Sequence, residues 1–477
     1  MSMRRIAWCN SMTQHIPSGK PNIFSVSFAS LRCSCPGDRG TAPQRREGRR
    51  EWRLRHLPLW MILAGGIAAI ASAAEPKLQR GDHVLMLGDS ITALGINPKF
   101  VADYLLMCKP AADLSVTCVA RGGETAKGCS AYAGTDMRLG PTVVTTLFGW
   151  NDGGYAPPLT PDRIQANREG LTKIIADARK AGVRMIIIGS PTCGDPDFGF
   201  GSDPQKSAGY NRVLAELRDV GRDAAKKEGV CFADVHSLMM DVLAKAKAKY
   251  GRMNYCFSES RADGGCHVSE SGQLVIAYAF LKAMGCDGHI GTITVDLSTA
   301  QAQATEGHKV LSTGKGQVEV ESSKYPFCFY GEDPIKATST RGVIQFMPFN
   351  EDLNRFLLIA RNLGAGRAKV TWGKASRELT AAQLERGINL AAEFLDNPFS
   401  QPFAQVEEQI RRNQGGENYI IGELLHVLPI YEQYLPSEKA VTDQVFAVIA
   451  SKCRAARDAS LAAVKPVKHT IRIEPMK

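Results

Sequence analysis

The stretch HVLMLGDSIT, residues 83–92, decides how the rest of the chain is read. An unbroken apolar run of this length suits a strand covered on both faces, and Gly88-Asp89-Ser90 closes it with turn-forming residues. Working outward, similar runs recur as LSVTCVA (114–120), TVVTTLFG (142–149), VRMIIIG (183–189) and GVCFADV (229–235). Helical patterns fill the intervals near residues 98–108, 162–181, 205–228 and 237–250, and another follows at 271–284. This alternation predicts right-handed βαβ crossovers. It therefore predicts an α/β fold: a three-layer, flavodoxin-like α/β/α domain on a parallel sheet. Such sheets carry their sites outside the carboxyl ends of the strands, which is where Ser90 falls.

Around residue 290 the pattern changes. ITVDL, QVEVES, GVIQFMPF, RFLLIARNL and AKVTWG read as short strands between Gly-rich and polar turns. Helices are expected near 402–413 and 437–464, and HTIRIEP closes the chain as a strand. The predicted organisation is a leader over residues 1–74, an α/β domain over 75–290, and a smaller β-rich region with accessory helices over 291–477.

The net charge of +10 suggests a nucleic-acid partner until its location is examined. Residues 1–74 hold eleven Lys and Arg against three Asp and Glu, and the remainder is close to neutral. No basic stripe with interleaved aromatics survives there, so nucleic-acid binding is not expected. Within the leader, Arg45, Arg46, Arg49, Arg50, Arg53 and Arg55 precede LPLWMILAGGIAAIASAA, which ends in small residues. A basic flank, an apolar stretch and Ala71-Ser72-Ala73 read as a secretory signal peptide, predicting a periplasmic or extracellular protein. The alternative is an uncleaved anchor, which would be the chain's only tie to a membrane. Ten of the thirteen cysteines follow the leader, and export permits disulfides. Cys118 and Cys231 read instead as buried strand thiols. No CxxC pair or His/Cys cluster has zinc-ligand spacing, and no metal or other cofactor is expected.

A G-D-S tripeptide arises by chance in about one chain in ten of this length, so Gly88-Asp89-Ser90 means little alone. Three further blocks accompany it. The second strand ends in Ala120-Arg121-Gly122-Gly123-Glu124-Thr125, and the third in Gly149-Trp150-Asn151-Asp152. The helix at 271–284 is preceded by Asp263-Gly264-Gly265-Cys266-His267. These ordered blocks resemble the SGNH (GDSL-type) serine hydrolases over about residues 81–286, and the C-terminal LNRFLLIARNL, GINLA segment and closing strand look like the C-terminal region of exported bacterial two-domain members. The resemblance implies an esterase with Ser90 as nucleophile, His267 as base and Asp263 as the acid that orients it. It further implies an oxyanion hole made by the Ser90 N–H, the Gly123 N–H and the Asn151 amide. Asp89 is expected to orient the serine loop. His83 and His236 read as structural, and Trp150 and Tyr155 as core or pocket lining.

The sequence departs from the family at the acid. Asp263 stands four residues before His267 where three is usual, and Val268 occupies a position where Pro is common. Glu259 and Glu270 are alternative acids. Cys256 and Cys266 flank this loop, and a disulfide between them is an expectation. The implied activity is hydrolysis of O-acyl esters, short-chain ones such as acetyl, on a small molecule or polysaccharide. A lipase or lysophospholipase, an O-acyltransferase and an inactive glycan-binding protein are the competing readings.

Overall fold

The computed structural model describes residues 77–198, 203–260, 265–314 and 316–476. The expected leader and Asp263 lie outside the described residues. The first strand, β1 (His83–Gly88), leads into the short helix α1 (Ser90–Ala93) and then α2 (Ile96–Asp103). Strand β2 (Ser115–Ala120) is followed by α3 (Ala126–Ser130) and α4 (Ala133–Asp136). Strand β3 (Val143–Leu147) is followed by α5 (Trp150–Gly153) and α6 (Pro161–Lys180). Then come β4 (Met185–Gly189), α7 (Pro204–Glu228), β5 (Cys231–Ala233), α8 (Val235–Tyr250) and α9 (Glu270–Ala283). The five strands form one parallel sheet in the order β2-β1-β3-β4-β5.

Alternation along β1 explains the layers. Val84 and Met86 join an apolar cluster with Phe100 of α2 and Leu274 of α9. Leu85 and Leu87 join the opposite cluster with Ala126 of α3 and Ile174 of α6. Successive strand side chains point to opposite faces, so a strand apolar at every position must be covered twice.

The architecture then changes. Strands β6 (His289–Asp296), β7 (Gln301–Ala304), β8 (His308–Gly314) and β9 (Gln317–Ser322) precede α10 (Thr340–Val343) and α11 (Phe349–Leu353). They are followed by β10 (Arg355–Arg361), β11 (Arg367–Trp372), β12 (Ala375–Thr380), α12 (Ala381–Arg386), β13 (Ile388–Asn389) and α13 (Leu390–Glu393). Two long helices, α14 (Ser400–Tyr434) and α15 (Lys439–Ala463), lead to the last strand, β14 (Val467–Met476). A four-stranded sheet runs β13-β10-β6-β7, and an antiparallel five-stranded sheet runs β12-β11-β14-β9-β8.

GVIQFMPF, expected as a strand, is instead two short helices joined by a 3₁₀ turn. The side chain of Ser339 accepts from the Gly342 N–H and caps the first of them, and that local bond starts a helix where the apolar run alone suggested a strand. The α14–α15 pair packs back onto the parallel sheet's edge. Ile421, Leu425, Phe446 and Ile449 join the cluster that holds Leu85 and Leu87. The Arg121 guanidinium donates to the Gly422 carbonyl at 3.2 Å, and that of Arg457 to the Leu114 carbonyl at 3.0 Å. An alanine Cβ at Gly422 would lie 3.3 Å from the Ala120 carbonyl oxygen, so glycine permits this close approach.

Candidate active site

Ser90 opens α1 at the carboxyl end of β1. Asp89 is the N-cap, its carboxylate accepting from the Ile91 N–H at 2.9 Å. A Cβ on Gly88 would lie 2.3 Å from Thr92 Oγ1, so only glycine lets the strand turn so tightly into the helix. Asp89 is fully buried, and that burial pushes its carboxyl up to about 7 against the lowering effect of the Ile91 N–H. His267 lies in the loop before α9, exposed, with Nε2 2.9 Å from Ser90 Oγ. A nucleophile and a base within hydrogen-bond reach are the first requirement for acyl transfer.

The backbones beside this pair are strapped together by Gln273, which is fully buried on α9. Its amide donates to the Ile91 carbonyl and the Val268 carbonyl, each at 3.2 Å, while its Oε1 accepts from Asn97 Nδ2 at 2.7 Å. One side chain thus grips the residue after Ser90 and the residue after His267.

The other two blocks converge on the same edge. The Arg121 N–H donates to the Gly88 carbonyl at 3.2 Å, tying the end of β2 to the end of β1. Gly123 has φ +76° with open space around its would-be Cβ, so its requirement is conformational rather than steric. Asn151 sits in α5, where Gly149, at φ +141°, makes the turn out of β3. Asn151 Nδ2 donates to the Glu124 carbonyl at 2.9 Å, and its Oδ1 accepts from the Tyr155 hydroxyl at 2.7 Å. Those two bonds fix which end of the amide is the donor. Asp152, also buried, accepts from the Ala126 N–H at 3.0 Å and Asn167 Nδ2 at 2.8 Å. Burial raises its carboxyl above the usual range.

The structure therefore brings Ser90, His267, Gly123 and Asn151 to one edge of the sheet. Glu259 is exposed, its N–H donating to Ser269 Oγ at 3.3 Å. Glu270 opens α9 and faces a cleft described below, and burial raises its carboxyl. The expected Cys256–Cys266 disulfide is absent, because Cys256 is a free, buried thiol. Its sulfur turns to the backbone, accepting from the Ser258 N–H at 3.4 Å, and burial pushes the thiol up to about 12. Trp150 is core, buried with its indole N–H on Thr192 Oγ1 at 2.6 Å. Tyr155 is 44 % exposed and stacks on Tyr210 at 5.7 Å.

Gln273 and the Tyr155 hydroxyl escaped the sequence reading. A glutamine inside an apolar helical run is a signal for the first, since a buried amide needs partners. Nothing local marks the second.

A cleft reached from Ser90 through Leu94, and from His267 through Glu270 three residues on, is lined by Leu94, Lys99, Glu270, Tyr330, Glu407 and Arg411, among others. Leu94 lies one helical turn beyond Ser90, its N–H donating to the Ser90 carbonyl at 3.1 Å. Among the described residues no group of His, Cys, Asp and Glu could hold a metal ion.

Residues 86–273 match the GDSL-like lipase/acylhydrolase family. No curated protein sequence matches the chain. Among solved structures, a gut microbial diltiazem-metabolizing enzyme is similar at 21 % identity and a TM-score of 0.58, over 84 % of this chain and 99 % of that one. It shares the fold across both the α/β and the β-rich regions. Smaller likenesses cover 44 % of this chain. One is to an α/β hydrolase from the metagenome of Lake Arreo, Spain (22 % identity, 97 % of that chain, TM-score 0.36). Another is to the acetylxylan esterase Axe2 from Geobacillus stearothermophilus (20 % identity, 96 % of that chain, TM-score 0.36). Residues 86–273 belong to the GDSL-like lipase/acylhydrolase family, and the chain is a carboxylic ester hydrolase.

Proposed function

We propose that this chain is an exported serine esterase that removes short acyl groups, acetyl above all, from carbohydrate. The observation that carries the catalytic part is the 2.9 Å separation of His267 Nε2 and Ser90 Oγ at the strand ends that also bring Gly123 and Asn151. In the proposed mechanism Ser90 Oγ attacks the ester carbonyl carbon as its proton passes to His267 Nε2. The Ser90 N–H, the Gly123 N–H and Asn151 Nδ2 stabilise the oxyanion. Collapse breaks the bond to the alcohol, which leaves with the proton from His267. Water, deprotonated by the same imidazole, then releases the acid and restores Ser90. Asp263 holds the His267 tautomer in this scheme.

The charged and hydroxyl-bearing side chains of the cleft near Ser90, Glu270, Glu407 and Tyr330 among them, support a polar alcohol. The Arg-rich flank and apolar run of the leader support export.

The test is hydrolysis of p-nitrophenyl acetate, butyrate and octanoate by the chain and by Ser90→Ala. The expected result is turnover that falls with acyl length and is lost in Ser90→Ala. Octanoate as the best substrate would turn the reading to a lipase. Turnover retained by Ser90→Ala would defeat it.

A further inference from the structure

The cleft that begins at Leu94, one helical turn beyond Ser90, is built jointly by the α/β domain and the C-terminal helix α14. Ala404, Glu407, Glu408 and Arg411 recur on α14 at the spacing of one helix face, while Phe403, Val406 and Ile410 on the adjoining face are buried in the core. The opposite wall is Leu94, Gly95, Ile96 and Lys99, continuing from α1 into α2, with Glu270 at the start of α9 and Tyr330 alongside. Leu94 follows Ser90 by four residues, which in a helical turn puts the two on one face, and its side chain is 48 % exposed. The cleft's volume is about 540 Å³, enough for a small-molecule ligand.

Its charges are balanced in place. Buried Lys99 is paired with Asp103 at 2.9 Å and with Glu407, and Arg411 grips Glu408 at 2.6 Å. A cationic ligand would meet Lys99 and Arg411, and an anionic one Glu270, Glu407 and Glu408. A neutral polyol meets no such conflict, because each hydroxyl both donates and accepts and this wall offers both kinds of partner. Leu94 and Tyr330 supply apolar surface for the C–H face of a ring.

We propose that this cleft is the subsite for the alcohol side of the ester, a sugar residue or short oligosaccharide. The assignment rests on the esterase reading for its relation to Ser90, and it gives the C-terminal helices a part in substrate selection.

The test is calorimetric titration of the full chain carrying Ser90→Ala with a partly O-acetylated xylo-oligosaccharide. Saturable binding is expected, with Kd raised at least tenfold by adding either Arg411→Gln or Ala404→Trp. Both positions are exposed, and thermal melts of the variants check that they fold. Failure to bind, or a Kd within twofold of the parent in both variants, would overturn the subsite. Acetylcholine binding more tightly than the oligosaccharide would overturn its assignment to a polyol. Hydrolysis of p-nitrophenyl acetate by the chain with Ser90 intact is read separately. Binding retained without turnover would support the subsite while defeating the catalytic reading.

Discussion

Replacing Asn151 by alanine isolates the oxyanion hole from the rest of the machinery. The side chain donates to the Glu124 carbonyl at 2.9 Å and accepts from Tyr155 at 2.7 Å, and in the proposed mechanism its amide also meets the oxyanion. The last interaction exists only in the transition state, and losing one such donor costs about 3 kcal/mol, or roughly two orders of magnitude in kcat. The ground state loses much less. One half-buried hydrogen bond to Glu124 contributes about 1 kcal/mol. The turn itself stays pinned by Asp152, bonded to the Ala126 N–H at 3.0 Å and to Asn167 at 2.8 Å. Steady-state kinetics on p-nitrophenyl acetate should therefore show kcat reduced about 100-fold with KM within about threefold, and a melting temperature only a few degrees lower. A kcat within threefold of the parent would refute the role. So would a hundredfold rise in KM at unchanged kcat, which would make Asn151 a ground-state binding residue.

Three other perturbations probe the scaffold. Gln273→Ala removes its amide donor from the Val268 carbonyl, leaves the Ile91 carbonyl only the 3.5 Å bond from Asn97 Nδ2, and opens a cavity; it should cost about 2–4 kcal/mol by urea denaturation and lower kcat at least tenfold. Gly149→Ala puts a Cβ 2.3 Å from Pro191 Cγ at φ +141°, and strain and overpacking together should cost about 2–5 kcal/mol in the same assay. Asp89 tests linkage. Its folded carboxyl, raised to about 7 by burial, holds a proton that the unfolded chain releases near pH 4, so this group's contribution to stability is lost as pH rises through that window. Asp89→Asn keeps the capping oxygen without the titration. Between pH 4 and 8 the variant should gain up to about 4 kcal/mol on the parent, as read from urea midpoints at both pH values.

Much of this was legible in the sequence. Apolar-rich runs at 83–88 and 114–120 became β1 and β2 nearly residue for residue, because Gly81-Asp82 and Asp89 bound the first and Asp113 and Arg121-Gly122 the second. The blocks ending in Ser90, Gly123, Asn151 and His267 could be ordered because each directly follows a strand or precedes a helix. The C-terminal part was harder. Strands β7 and β8 are largely exposed, so QAQA and HKVLSTG lack the long apolar run that marks the buried strands. Helix α14 was expected to end near residue 413, yet it runs through Gly415-Gly416 to Tyr434, and its packing onto β2 overrides the local breaker. For the same reason the cleft was invisible. Its walls come from residues 94–99 and 404–411, more than three hundred positions apart, and only the return of α14 brings them together.

The central claim is that Ser90 is the nucleophile, and covalent trapping tests it most directly. The chain would be treated with a fluorophosphonate, digested, and mapped by mass spectrometry, beside His267→Ala. The account predicts one adduct, on the peptide containing Ser90, and labelling slowed by orders of magnitude when the His267 imidazole is removed. An adduct on another residue, or labelling of Ser90 at an unchanged rate in His267→Ala, would contradict it.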